Sequence, residues 1–312
     1  MDPLMTTAHR FALPTSFDPR IKQYDPTRMV ILPHFAMPQL NKTRTVRIYL
    51  PADYAEEARH YPVIYMHDGQ NVFEPHLCIS GMSWQAGEHL DALQQQNDFS
   101  GAILVAVDCS SDREQFGRRD EYSPWPYEPQ PALANWSESA IAQGGEGNAY
   151  CRFLIDTLKP YIDQHYRTLP DREHTTIAGS SMGGFISLYA LLTYPETFSQ
   201  AGVFSPAFWF AETAMKTLIA ATSRDFLMDW PVKIYMDIGT NESSDPSNPA
   251  FPALYYDLAV DIADQLQQLS PAVNCRFDVD HEGIHSESAW AARFPAFLQY
   301  CFTNGHTCFA TK

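Results

Sequence analysis

The sequence predicts an α/β protein whose central sheet is mostly parallel and carries helices on both faces. Short apolar runs alternate with segments of helical period from about Arg44 onward, the pattern of strands feeding crossover helices. The runs PVIYMH (62–67) and GAILVAVD (101–108) are apolar without alternation, as expected of strands buried on both faces. With 45% hydrophobic residues, the 312-residue chain has enough apolar material for one deep core.

The elements follow in order. TVRIYL (45–50) reads as an antiparallel partner of the 62–67 run, because PADYAEEARHY allows a return but hardly a crossover helix. A helix over about 84–96 leads to the 101–108 strand. Residues 109–148 are irregular and rich in Pro, Gly, Ser and aromatics. Leaving Trp125, Tyr127 and Trp136 in solvent would be costly, so this segment is expected to be a packed loop bordering a pocket. The alternation then resumes: helix 149–165, strand 174–179, helix 182–193, strand 200–204, helix 211–220, strand 231–238, helix 253–269, strand 273–279 and helix 286–302. The pattern divides the chain into an N-terminal extension, 1–43, and one domain, 44–312.

Composition narrows the partners. A formal charge of −16, from 37 acidic against 21 basic residues, repels nucleic acids and anionic membranes. No window approaches the roughly 20 apolar residues of a membrane span, and the first residues lack a basic segment followed by an apolar one. The expectation is a cytoplasmic protein acting on a small molecule. Cys78, Cys109, Cys151, Cys275, Cys301 and Cys308 form no CxxC pair and read as reduced thiols.

The chemistry concentrates at HTTIAGSSMGGFISLYALL, where an apolar run gives way to a helical pattern around Gly179-Ser180-Ser181-Met182-Gly183. A serine on a tight strand-to-helix turn needs small residues two before and two after it, so that the backbones can pass. Gly179 and Gly183 meet that need around Ser181, whereas around Ser180 the same places hold Ala178 and Met182. The helix opening at Met182 turns its first N–H groups toward the serine oxygen, where an oxyanion would form. A bare tight glycine turn would show the same residues without the chemistry.

A serine hydroxyl needs an imidazole to take its proton. The last strand runs into HEGIHSESAW, which offers His281 and His285. His285 is preferred, since it lies on a loop before a helix. The same residues spell HExxH, the zincin signature, but that motif needs a helix, and Gly283 directly after a strand opposes one. No metal or other cofactor is therefore expected. The acid belongs after a late strand, in VKIYMDIGTNESSDPSN. Asp237 falls within the strand pattern, Glu242 just past Gly239 where the chain leaves the sheet, and Asp245 is the alternative to Glu242.

The chain resembles the putative-esterase family of α/β hydrolases, which includes enterochelin esterases, feruloyl and acetylxylan esterases and S-formylglutathione hydrolases. The similarity covers about residues 44–302 and is carried by YMHDGQNVF (65–73), RRDEYSPW (118–125), LKPYIDQHYRTLPDREHTTIAGSSMGG (158–184), FSPAFWF (204–210), DIGTNE (237–242) and GIHSESAW (283–290). It implies an α/β-hydrolase fold and a serine esterase using Ser181, His285 and Glu242, although many relatives carry Asp in the acid's place. It further implies an oxyanion hole made by the N–H groups of Gln70 and Met182. Trp209 would line an acyl or alcohol pocket or be a core aromatic. Arg118, Arg119 and Glu121 would bind substrate or secure the long loop by ion pairs. A siderophore ester or an acylated sugar would be the substrate, and an acyltransferase would use the same triad.

Overall fold

The computed structural model describes residues 25–78, 80–96, 99–112, 116–134, 142–222 and 224–303. Trp136 and Cys308 lie outside the described residues. In chain order the elements are β1 (Met29–Met37), β2 (Lys42–Tyr49), β3 (Val63–His67), α1 (Ala86–Gln95), β4 (Ile103–Val107), α2 (Gly117–Glu121), α3 (Gly147–Phe153), α4 (Lys159–His165), β5 (Thr175–Ser180), α5 (Met182–Thr193), β6 (Gln200–Phe204), α6 (Glu212–Ala221), α7 (Arg224–Asp229), β7 (Val232–Asn241), α8 (Phe251–Leu269), β8 (Val273–Ile284) and α9 (Glu287–Phe302). The strands form one sheet in the order β1-β2-β4-β3-β5-β6-β7-β8. β1 and β2 run antiparallel, and every pairing from β4 to β8 is parallel.

Strands β3 to β6 are buried at every position, as their unbroken apolar runs predict. One core cluster includes Phe185, Val203 and Ile262, and a second includes Trp84, Phe204 and Phe297. α5 is buried from Met182 to Leu192 and has no polar face, since it packs against β5 and β6 in the middle of the fold. No described helix is long and apolar enough to cross a membrane. Cys78, Cys109, Cys151, Cys275 and Cys301 are free thiols.

The structure corrects three expectations. The 45–50 run pairs with β4, not with β3, because both edges of β3 are taken by its parallel neighbours β4 and β5. The connecting residues step across β4, a lateral span of about 10 Å for two strand spacings, which a dozen residues cover easily. The sheet also begins ahead of position 44, with β1 inside the stretch read as an extension. β1 is an edge strand with a register shift between Leu32 and Phe35, around Pro33 and His34, and Met37 alone in it is buried. Its sequence therefore lacks a period-2 signature. Finally, the 149–165 helix contains a π turn over Leu154–Leu158 just ahead of Pro160. Proline has no N–H to donate and its ring crowds the preceding turn, and the wider turn accommodates it.

The irregular segment is packed where it is described. Trp125 meets Phe185 and Tyr189 of α5 edge-on, and Tyr127 packs on Trp209 and Phe210. With α6 it borders an open groove of about 720 Å³ lined by Trp125, Tyr127, Gln130 and Glu212.

Candidate active site

β5 ends at Ser180 and α5 begins at Met182, leaving Ser181 alone between them at φ 59°, ψ −120°. A non-glycine residue at positive φ is costly and persists where its surroundings hold it. Here the Ser181 N–H donates to the Phe204 carbonyl at 2.9 Å, and its own carbonyl accepts from Phe185 at 3.0 Å and Ala207 at 3.1 Å. The flanking glycines are required by contact as well as by the turn. A Cβ on Gly179 would lie 2.9 Å from the His67 ring and 3.0 Å from the Gly183 backbone, and one on Gly183 would lie 3.2 Å from His67. Met182 is the first residue of α5, so its N–H is one of the first-turn amides that have no acceptor within the helix.

The loop after β3 lies against this turn. Asp68 stands at φ 56° and is followed by a 3₁₀ turn over Gly69–Asn71, which carries Gln70. His67, Asp68, Gln70 and Asn71 are each held from outside the turn. Nδ1 of His67 is 2.9 Å from the Tyr150 hydroxyl, and the Asp68 N–H donates to the Tyr122 hydroxyl at 3.0 Å. Burial drives the His67 imidazole down to about 3, so this histidine stays neutral. Gln70 Oε1 accepts from the Cys109 N–H at 3.0 Å, and Gln70 Nε2 donates to Cys109 Sγ at 3.2 Å. Asn71 donates to Glu287 in the first turn of α9 at 3.0 Å.

The acid and the histidine come from neighbouring strand ends. β7 and β8 pair with a register shift after Gly239, and Asn241 stands beside Ile284. The next residue on each strand is Glu242 and His285. His285 Nδ1 is 2.7 Å from Glu242 Oε2, and Glu242 is fully buried. Burial alone would raise the Glu242 carboxyl, but His285, Arg293 and the Ser205 hydroxyl outweigh it and hold the group below its ordinary value. It is therefore ionised at neutral pH. β8 runs on to Ile284, beyond the expected end at 279, so His281 lies within the strand and is exposed. The HEGIH residues form strand and loop and lack the helix that would set both histidines on one face. Asp245 accepts from Ser247 N–H at 2.9 Å and Oγ at 2.7 Å in a local turn.

The remaining sequence-predicted residues divide. Arg118 grips Asp68 through Nε at 2.6 Å and Nη2 at 2.7 Å, and its Nη2 is 3.5 Å from the Ser180 carbonyl. Arg119 donates to Gln143 at 2.8 Å. Glu121 is buried against Arg44 and Lys42. These contacts tie the 118–121 cluster to Asp68, to Gln143 and to β2. Trp209 is 2% exposed and touches Tyr127, Phe251 and Tyr255, a core position one ring removed from His285.

Sequence reasoning missed several residues of the site. The Tyr255 ring lies 4.9 Å from that of His285, and its hydroxyl is 2.7 Å from Ser244 Oγ. Burial raises this phenol, opposed by the polar side chains of Ser244, Trp209 and Ser181 around it. Arg293, 4% exposed, lies 3.3 Å from Asp237, 3.5 Å from Glu242 and 3.5 Å from Asp280. Asp237 is fully buried, and burial pushes it up to about 7 despite Arg293. The only sequence signal for Arg293 was a charge on the otherwise apolar face of α9, at helical spacing from Trp290 and Phe297.

Comparison with known proteins agrees with this architecture. Residues 37–301 match the family described as "Putative esterase". The chain is 28% identical over 232 residues to ferri-bacillibactin esterase BesA of Bacillus subtilis, covering 72% of this chain and 76% of that protein. It is 27% identical over 199 residues to the uncharacterized protein YbbA of the same organism, covering 64% and 69%. An IroE-like serine hydrolase from Shewanella oneidensis has the same fold, with a TM-score of 0.67 at 21% identity over 89% of this chain and 80% of that one. The chain thus belongs to the family described as "Putative esterase", a carboxylic ester hydrolase on the α/β-hydrolase fold.

Proposed function

We propose that the protein hydrolyses its ester through an acyl-enzyme on Ser181. His285 takes the proton from the Ser181 hydroxyl as the oxygen attacks the carbonyl carbon, and then gives that proton to the departing alcohol. The oxyanion rests on the N–H groups of Gln70 and Met182. Glu242 keeps the imidazole in the required tautomer and stabilises its charged form. Water then repeats the sequence on the acyl-enzyme. The observation that supports this reading is the 2.7 Å contact between His285 Nδ1 and the buried Glu242, in a fold that also holds Ser181 at φ 59° on the turn between β5 and α5.

For the substrate we favour an ester of the siderophore kind, on the similarity to ferri-bacillibactin esterase BesA over 72% of the chain. Replacing Ser181 by Ala should abolish covalent labelling by a fluorophosphonate and lower turnover by about 10⁴-fold or more, whereas Ser180→Ala should still label. Labelling that survives in Ser181→Ala would remove the serine assignment. A panel of siderophore lactones, feruloylated sugars and acetylated sugars tests the substrate. Highest kcat/KM on the lactones is expected, and preference for a sugar ester overturns that choice.

A further inference from the structure

Ser205 follows the last residue of β6 and stands at φ 40°, a third non-glycine residue at positive φ around the elbow after Asp68 and Ser181. Its N–H is held by Asp237, 3.0 Å from the carbonyl oxygen and 3.2 Å from Oδ1. This backbone conformation turns the buried hydroxyl into the cluster behind His285. There Ser205 Oγ has three neighbours: Trp290 Nε1 at 2.9 Å, Arg293 Nη2 at 2.8 Å and Glu242 Oε1 at 2.5 Å.

A serine hydroxyl has two acceptor sites and one proton, while an indole N–H and a guanidinium can only donate. Trp290 and Arg293 therefore fill both acceptor sites, and the proton has one destination, Glu242 Oε1. That oxygen also accepts from the Gly239 N–H at 2.9 Å, leaving Oε2 for His285 Nδ1. Trp290 and Arg293 are three residues apart and share a face of α9, whose N-cap, Ser286, directly follows His285. One helix thus begins beside the histidine and directs the partner of that histidine.

We propose that Ser205 is a positioning residue for Glu242: held by Trp290 and Arg293, it directs its proton onto one carboxylate oxygen and so aims the other at His285. The proposal rests on the reading of Glu242 as the triad acid, and the experiment separates the two. Turnover of an aryl acetate is measured for wild type, Ser205→Ala, Glu242→Gln and the double variant. Ser205→Ala should lower kcat by about 10- to 100-fold with KM little changed, and in the Glu242→Gln background it should cost less than about threefold more. Equal losses in both backgrounds overturn the proposal. A Glu242→Gln single variant close to wild type removes the triad reading and the proposal with it, and that single measurement identifies this failure.

A spectroscopic readout distinguishes positioning from loss of structure. The low-field proton resonance of the His285–Glu242 hydrogen bond should shift or broaden in Ser205→Ala and in Trp290→Phe, with the remaining spectrum still dispersed. Trp290→Phe removes one of the two donors, frees the hydroxyl to turn, and carries the test if Ser205→Ala does not fold. Its kcat should fall by about 3- to 10-fold. A low-field resonance unmoved in the folded variants overturns the proposal.

Discussion

Two arginines pair with carboxylates around the site, Arg118 partly exposed and Arg293 buried, and they are used differently. Arg118 from α2 meets one carboxylate, Asp68, through two hydrogen bonds of 2.6 and 2.7 Å. Arg293 from α9 faces three, Asp237, Glu242 and Asp280, at 3.3 to 3.5 Å. The first is a fork-on-fork contact that defines where the 67–70 loop sits. The second is longer and shared, so it supplies charge to a cluster whose short directed hydrogen bonds come from Ser205, Gly239 and His285. One arginine sets a position, and the other makes it possible to bury two carboxylates behind a histidine.

The largest expected effect separates the two regions by activity. Glu242→Gln should lower kcat by about 10³- to 10⁴-fold, because the amide can no longer stabilise an imidazolium and can favour the wrong tautomer. Gln70→Ala keeps the backbone N–H proposed to meet the oxyanion, so steady-state kinetics should show a loss below about tenfold. A Gln70→Ala enzyme as damaged as Glu242→Gln would place side-chain chemistry on that loop.

The next effect concerns stability. Arg293→Met leaves Asp237 and Glu242 buried without their guanidinium and should cost roughly 3–5 kcal/mol in urea denaturation. Arg118→Met breaks one pair whose arginine side chain is 30% exposed, and should cost roughly 1–2 kcal/mol. Its kcat should still fall, as the loop loosens. Equal destabilisation by the two substitutions would erase the distinction drawn between them.

The last effect sharpens the comparison through pH. Asp237 is raised to about 7 by burial, so its folded-state value lies above its unfolded one. Its contribution to stability is then fully present below about pH 4 and is lost as pH rises toward 7. Glu242, held below its ordinary value, has the opposite slope, with its contribution present at neutral pH and lost in acid. Stability of wild type minus that of Asp237→Asn should therefore fall between pH 4 and pH 7, by on the order of 2–4 kcal/mol. A difference independent of pH would mean that Asp237 stays ionised throughout.

The elbow was legible in the sequence because its requirements are local. Gly179, Ser181 and Gly183 lie within five residues, and a Cβ on Gly179 would meet the Gly183 backbone across the turn, while the His67 ring that crowds both glycines comes from β3. The boundaries of α5 and β6 were legible because almost every residue of both elements is buried, so each stands out in the sequence as an apolar run. Glu242 and His285 were readable from chain order after the last two strands, and the β7–β8 register brings them together. Ser205 was not readable. Its partners, Glu242, Trp290 and Arg293, lie 37, 85 and 88 residues away, and FSPAF gives no sign that its serine is held by a helix near the end of the chain.

Periodicity, turn chemistry and chain direction act over a few residues, and they made readable the alternation of strands and helices, the serine turn and the order in which Glu242 and His285 follow the last two strands. Strand pairing and the side chains that gather behind Glu242 follow instead from long-range packing. β2 bonds to β4 because β3 has no free edge, and Arg293 is buried because three carboxylates from β7, β8 and the loop after β7 converge on it. Each of those outcomes depends on segments far apart in the chain reaching the same few ångströms, which local sequence pattern does not encode.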